Sequence, residues 1–189
     1  MLTLKNLIMS LLLVLAIGLC IWSLRLVTPG HLWSANNDPG KPDSYMQDVV
    51  ATQFNKEGKI TLKLTSPRLT HYAVDDRMHI TTPHLVLYRQ SPKPWYIQSE
   101  YADTKHGVDE ILFSENVKIR HPADSENPET ALATRAITIF PSQKMASTAE
   151  AVVFTQPDTI VHAIGMLANL DDGSIKLLSE AQGEYAPTS

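Results

Sequence analysis

Most of the chain after residue 44 alternates apolar and polar side chains with a period of two. In the run KITLKLTS, Ile60, Leu62 and Leu64 alternate with Thr and Lys, which places one row on each face of a strand. The same alternation puts Leu85 and Leu87 on one face of a later strand. Further runs rich in Val, Ile, Thr and Phe are broken by prolines, as is typical of strands. The pattern predicts an all-β domain.

A repeated segment divides this domain into similar units. YADTKHGVDEILFSENVKIR at 101–120 resembles MLANLDDGSIKLLSEAQGEY at 166–185 when Gly107 is aligned with Gly173, and one gap brings LFSE onto LLSE. Two weaker copies make the unit recur about every 30 to 35 residues, and each copy is a strand, a turn and a returning strand. Hairpins of this size must stack to cover their apolar faces. We therefore expect a β-jelly roll of two facing antiparallel sheets, with an unpaired edge at each end.

The N-terminal segment differs from the domain. Residues 7–24, LIMSLLLVLAIGLCIWSL, contain 18 residues without a charge, and as a helix they would span roughly 27 Å, close to a bilayer core of about 30 Å. The short tail before this segment defaults to the cytoplasm, which places the bulk of the chain on the other side. We expect a cytoplasmic tail over 1–6, a transmembrane helix over 7–26, a linker over 27–44 and the folded domain over 45–187.

Two other interpretations of the N-terminal segment are weaker. A cleaved signal peptide needs a shorter apolar core and a small-residue cleavage site, and SLRLVTPGHLWSA supplies no good site. A lipoprotein modification at Cys20 would need a small residue where Leu19 stands. Because Cys20 is the only cysteine, the chain has no internal disulfide and no cysteine-based metal site.

The charge of the domain argues against a nucleic-acid partner. The formal net charge is −4, and since Lys5 and Arg25 are the only charges before Pro29, the remainder carries about −6. Phosphate contacts need clustered Lys and Arg, and no such cluster is present in the sequence.

No sequence motif favours catalysis, and we predict no catalytic residue, cofactor or metal. The chain lacks a Gly-x-Ser-x-Gly elbow, a phosphate-binding glycine loop and a His-Glu-x-x-His pair. His79 and His84 are five residues apart, so on one strand they would face opposite sides and could not share a metal. A sugar-binding jelly roll would need several exposed aromatic residues on one face, and we interpret the close group Trp95, Tyr96 and Tyr101 as ordinary strand residues.

Several segments together resemble one family. NNDP at 36–39, NKEG at 55–58, the segment 140–185 and the repeated Ala-x4-Gly units are similar to LptC, the membrane-anchored periplasmic component of lipopolysaccharide export. The resemblance covers the whole chain. It implies a single-pass inner-membrane protein whose periplasmic β-jelly roll accepts lipopolysaccharide from an ABC transporter, with LptF- and LptG-like permeases and their ATPase, and passes it to a soluble LptA-like bridge protein.

The resemblance also implies particular site residues. Val49, Ile80, Ile175 and Tyr185 would contact lipid in the interior, and the alternation of side chains adds Ile60, Leu62, Leu64, Leu85, Leu87 and Ile97. The edge toward the permease would include Val49, Val50 and Phe54, and the edge toward the bridge protein would include Leu177, Leu178 and Tyr185. One alternative is a scaffold that links the transporter to a periplasmic filament without touching lipid. It predicts the same anchor and edges around a filled interior, and it would use the same residue types.

Overall fold

The computed structural model describes residues 40–89, 92–170 and 173–185, whose regular structure is entirely β-strand. The strands are β1 (Ser44–Phe54), β2 (Ile60–Tyr72), β3 (Arg77–Thr81), β4 (His84–Leu87), β5 (Trp95–Gln98), β6 (Tyr101–Lys105), β7 (Glu110–His121), β8 (Thr130–Phe140), β9 (Met145–Gln156), β10 (Thr159–Asn169) and β11 (Ile175–Tyr185). The all-β prediction is confirmed. The predicted tail, the predicted transmembrane helix and most of the linker lie outside the described residues, which themselves include no helix that could span a membrane.

The strands form one antiparallel sheet rather than two separate ones. Its order runs β11-β10-β9-β8-β7, and β7 then pairs with both β5 and β6. The first branch continues to β4 and the second to β3, and both meet on β2, which carries β1 on its other side. The expectation of two hydrogen-bonded sheets is therefore corrected to a single sheet that bends.

A line of irregular positions crosses the sheet and bends it. Register shifts interrupt the pairings of β8 with β7 and β9, and of β10 with β9 and β11. Positive φ angles fall on the same line, at Asp48, Thr82, Glu115, Gly165 and Glu180. Since a β-bulge bends its strand and increases the local twist, a line of them folds one sheet into two halves.

Each long strand therefore contributes to both half-sheets. Half-sheet A consists of residues 49–54, 60–66, 84–87, 95–98, 117–121, 130–134, 151–156, 159–164 and 180–185. Half-sheet B consists of residues 44–47, 68–72, 77–81, 101–105, 110–114, 136–140, 145–149, 166–169 and 175–179. The strand order is the same in both, except that β4 and β5 in half-sheet A take the places of β3 and β6 in half-sheet B.

Hydroxyl side chains satisfy carbonyl groups at the bend. The Ser66 hydroxyl donates to the Thr81 carbonyl at 2.6 Å, and the Thr134 hydroxyl donates to the Ala151 carbonyl at 2.9 Å. Ser66 and Thr134 are buried, where an unpaired polar group costs about 1–3 kcal/mol. These hydrogen bonds make the bend compatible with a buried location.

The inner faces of the two half-sheets share one apolar core. Half-sheet B contributes Leu69, Ile80, Ala102, Phe113, Ile137, Ile139, Ala146, Met166 and Ala168, and half-sheet A contributes Leu85, Ile97, Val117, Leu132, Val152 and Ala163. Because residues from both halves belong to one buried cluster, the folded sheet encloses its core as a jelly-roll-like sandwich does.

The hairpins predicted from the repeat are present. The hairpins β2–β3, β6–β7, β8–β9 and β10–β11 all turn at the end of half-sheet B that is farthest from the bend. The aligned glycines Gly107 and Gly173 have nearly equal φ angles of 73° and 74°. The repeated Ser-Glu step also has a structural meaning, because Glu115 and Glu180 both lie on the bend with positive φ.

The expectation that His79 and His84 share one strand is wrong. Thr82, with a φ of 45°, and Pro83 separate β3 from β4 at the bend, because proline cannot donate a ladder hydrogen bond. Alternation restarts after the break. Both histidines therefore precede a buried residue, Ile80 or Leu85, and lie on the outer faces of different half-sheets.

Candidate functional site

Two apolar rows cross the inner faces from the first strand to the last. Cross-strand partners project to the same face of a sheet, so the pairing registers define each row. Row A consists of Ala51, Leu64, Leu85, Ile97, Ile119, Leu132, Phe154, Val161 and Gly183. Row B consists of Met46, Leu69, Ile80, Ala102 and Phe113, then Ile111 on the same strand, and Ile139, Ala146, Ala168 and Ile175.

The two rows are closed in the middle of the sheet and open at its edges. Central members such as Ala102 and Phe113 are buried. At the edges, by contrast, Met46 is 51% exposed and Ile175 is 42% exposed. The rows therefore form an apolar trough, filled in its centre by side chains, with an uncovered mouth at each end.

The predicted interior residues fall into three groups by burial. Ile80, Leu85 and Ile97 are buried in the core, Val49, Leu62, Leu64 and Leu87 are half-buried and packed against it, and Ile60, Ile175 and Tyr185 are exposed at the trough mouths or strand ends. Those of the predicted interior residues that belong to row A or row B face inward. Their contact with lipid remains a prediction.

The first strand presents both faces at its mouth. Val49 lies opposite Ser66 and packs against the core, whereas Val50 lies opposite Thr65 on the outer face and is 64% exposed. Phe54 is exposed near the end of the strand. Met46 is an inward-facing residue that sequence reasoning missed.

The last strand is similarly open. Leu177 is half-buried opposite Met166, and Tyr185 lies opposite Thr159 with 74% of its surface exposed. Leu178 is exposed and lies against Gly165, where an added Cβ would approach its Cδ1 to 2.9 Å. Leu177 and Tyr185 therefore line the mouth, and Leu178 covers the bend.

Both edges of the sheet are unpaired within the described residues. There β1 pairs only with β2, and β11 pairs only with β10, so the predicted pair of free edges is confirmed. Edge strands offer main-chain N–H and C=O groups to another chain.

One histidine beside the first mouth contacts two carboxylates. His71 Nδ1 lies 2.8 Å from Asp43 Oδ1, and its Nε2 lies 2.9 Å from Asp76 Oδ1. The hydrogen bond to Asp76, followed by that to Asp43, raises the pKa of His71 above its ordinary value.

Other charged pairs lie on the outer surface. The guanidinium of Arg135 forms two hydrogen bonds with the Glu150 carboxylate, at 3.1 and 2.8 Å, and this contact lowers the pKa of Glu150. A cavity of about 520 Å³ also lies on the outer side of half-sheet A, beside Tyr96, Lys118 and Ala133. The ion pair lies on the outer surface away from the trough, whereas the cavity is lined mainly by outer-face residues together with Ile119 and Leu132 of row A.

The aromatic group noted in the sequence is dispersed. Trp95 faces inward, with its ring centroid 4.8 Å from that of His121, whereas Tyr96 and Tyr101 are exposed on different half-sheets. These are strand residues, as predicted, and no single aromatic face results from them. Among residues 40–89, 92–170 and 173–185, no group of three His, Cys, Asp or Glu side chains is placed to hold a metal.

An antiparallel sheet folded along a line of bulges, with apolar rows running between two free edges, defines an open-ended, jelly-roll-like β protein. The family model described as "Lipopolysaccharide-assembly, LptC-related" matches residues 11–186. The chain belongs to the LptC family, and its role is accordingly in lipopolysaccharide export. A search of curated proteins gives no match.

Proposed function

We propose that this chain conducts the acyl chains of lipopolysaccharide along the trough, receiving the lipid at β1 and releasing it at β11. This proposal rests on the observation that rows A and B are apolar from one free edge to the other, with exposed inward-facing residues at both mouths. Nine strands at a spacing of about 4.8 Å make a path of roughly 38 Å. That length exceeds an extended acyl chain, so the lipid would be handed along rather than held in one place.

The energetic need for such a path is large. Burying hydrocarbon is worth about 0.8 kcal/mol per CH₂, so an acyl chain of about 12 carbons would cost roughly 10 kcal/mol to expose to water. The trough would remove most of this cost. Transport work would come from ATP hydrolysed by the transporter, and this chain would serve as a passive conduit.

The partners would join at the two edges. A β-strand of the LptF- or LptG-like permeases would add to β1, and a strand of a soluble LptA-like protein would add to β11. Main-chain hydrogen bonds supply affinity in such strand addition, and alternate side chains supply selectivity. The inward row of each partner would then continue rows A and B. The anchor at 7–26 would hold the domain at the inner membrane, on its periplasmic side.

A second function is favoured by the filled centre of the trough. Ala102, Val117, Ile137, Val152 and Met166 are almost completely buried, so acyl chains could pass only if the half-sheets separate there. A scaffold that joins transporter and filament without touching lipid would need no such opening. The two functions predict different contacts with lipid.

Site-specific photo-crosslinking distinguishes them. A photoreactive residue replaces Ile80 or Ile175 on row B in cells that make labelled lipopolysaccharide. Matched controls replace Lys63, opposite Val86 on the outer face, and Ile160, an exposed outer isoleucine. Adducts at Ile80 and Ile175 but not at the controls would support the conduit. The absence of adducts at both positions, in a protein that still co-purifies with the transporter, would refute it in favour of the scaffold.

A further inference from the structure

We infer that His71, Asp43 and Asp76 form a proton-dependent clasp that holds the first strand onto the sheet at the mouth of the trough. The inference does not depend on lipid transport. It concerns how firmly the start of β1, residues 44–47, is held.

The geometry requires a protonated ring. A neutral imidazole has one N–H donor and one acceptor nitrogen, whereas an imidazolium donates from both. Both nitrogens of His71 lie within 2.9 Å of a carboxylate oxygen, and a carboxylate can only accept. One of the two contacts is therefore lost, and becomes repulsive, when the ring is neutral.

The three residues connect separate parts of the sheet. Asp43 directly precedes β1, and its backbone N–H donates to the His71 carbonyl at 3.1 Å. Asp76 belongs to the β2–β3 turn, and its carbonyl accepts a hydrogen bond from the Gly107 N–H of the neighbouring hairpin turn at 2.9 Å. The ring thus links the beginning of the edge strand to the β2–β3 turn, and the Asp76 carbonyl links that turn to the β6–β7 turn.

Besides the clasp, this part of the strand is held by its ladder with β2 and by the guanidinium of Arg68, which lies 5.7 Å from the ring centroid of Tyr45. β1 has a ladder on one side only, with β2, and its residues 44–47 are all exposed. No other charged group contributes to the shift of the His71 pKa. Asp75 and Arg77 pair with each other, and Arg77 lies over the ring of Tyr72, whose side chain points away from the His71 face.

The direction of the pH response follows from the raised pKa of His71. A group whose pKa is higher in the folded state stabilises that state fully below its ordinary value of 6.5, and this stabilisation is lost as the pH rises through the raised pKa. The clasp is therefore closed in mildly acidic solution and opens toward alkaline pH.

The test uses the full chain in detergent micelles. The midpoint of His71 titration is read from the imidazole ¹⁵N shifts by NMR, and the protection of residues 44–47 is read by hydrogen exchange with mass spectrometry. The variants are Asp43→Asn and Asp76→Asn, and the matched control is Asp103→Asn, since Asp103 pairs with His79 at the same distance of 2.8 Å. Comparison of variants at equal pH cancels the intrinsic pH dependence of exchange.

We expect both variants, but not the control, to lower the His71 midpoint. Below that midpoint, amide hydrogen exchange at residues 44–47 should be about two- to fivefold faster in both variants than in the wild type. This factor corresponds to the free energy of a solvent-exposed charged contact. At a pH two units above the wild-type midpoint the difference should vanish. An unchanged midpoint in both variants would overturn the inference, and so would a lowered midpoint with unchanged exchange.

Discussion

Replacing Gly165 should weaken the last hairpin more than replacing Gly173, although the two glycines have almost the same backbone conformation. Their φ angles are 76° and 74°. An added Cβ at Gly165 would lie 2.9 Å from Cδ1 of Leu178, whereas at Gly173 it would meet no atom within 4 Å. The pair therefore separates the cost of a positive φ from the cost of a steric clash.

The magnitudes follow from these two terms. An alanine in the left-handed region costs about 1 kcal/mol at either position. Pushing Leu178 off its rotamer adds about 1 kcal/mol at Gly165 alone. For a domain of this size, 1 kcal/mol lowers Tm by about 3 °C. We expect Gly173→Ala to lower Tm by about 3 °C and Gly165→Ala by about 6 °C.

Thermal unfolding of the full chain in micelles, followed by far-ultraviolet circular dichroism, measures both shifts. Adding Leu178→Ala to Gly165→Ala should recover part of the loss, relative to Leu178→Ala alone, because Cδ1 and Cγ of Leu178 are removed while its Cβ, 3.2 Å from the added methyl group, remains. Equal Tm shifts for the two glycine variants would refute the reasoning, and so would a double variant without recovery.

Three further outcomes test the core, the bend and an outer ion pair. Ile137→Ala should destabilise the domain by about 2–5 kcal/mol because it leaves a cavity, whereas Ile160→Ala on the outer face should cost less than about 1 kcal/mol; denaturant titration that gives equal costs would contradict the assigned faces. Thr134→Val should cost about 1 kcal/mol in the same assay because it removes the hydrogen bond from the buried Thr134 hydroxyl to the Ala151 carbonyl at the bend, and a neutral result would mean that the hydroxyl is dispensable. Arg135→Gln should raise the Glu150 pKa toward 4.5, measured by carboxyl ¹³C NMR. Because that pKa is lowered in the folded protein, the contribution of the ion pair to the stability of the folded state is present above about pH 4.5 and is lost as the pH falls.

The strands and hairpins follow from short-range patterns in the sequence. Val117 and Ile119 face inward and alternate with the exposed residues Lys118 and Arg120, as a period of two requires. The turn glycines of the repeat need positive φ, so aligned glycines correctly indicate equivalent hairpins. These features depend on neighbours within a few residues, which is why the sequence contains them.

The bend could not be predicted with the same rules, because an inserted residue reverses the alternation. Met46 and Val49 both face inward although they are three residues apart, since Asp48 between them has a positive φ. A single alternation along the first strand would place them on opposite faces. The Ser-Glu pair that recurs in the repeat lies at the bend, where Glu115 and Glu180 have positive φ. The pattern of apolar residues alone does not indicate this position.

The candidate site was predictable only in part for a related reason. Alternation within each strand gives the inward positions of Leu85 on β4 and Ile97 on β5, whereas Ile80 on β3 is predicted from the family resemblance. The meeting of His71 with Asp43 does not, because these residues are 28 positions apart in the sequence and the pairing register alone brings them together. Asp43 and His71 lie at the open end of the long β1–β2 hairpin, whose register also depends on the irregularity between Gln53 and Phe54 and on the positive φ of Asp48.

The bend reaches both edges, since Asp48 on the first strand and Glu180 on the last have positive φ angles of 49° and 50°. A foreign strand that joins either edge along its full length must therefore change direction at the same residue as its neighbour. A straight strand can match one half-sheet, over about four to six residues, but must leave the other uncovered. At either edge, the position of the kink would therefore select by shape an added strand that bends at the same residue.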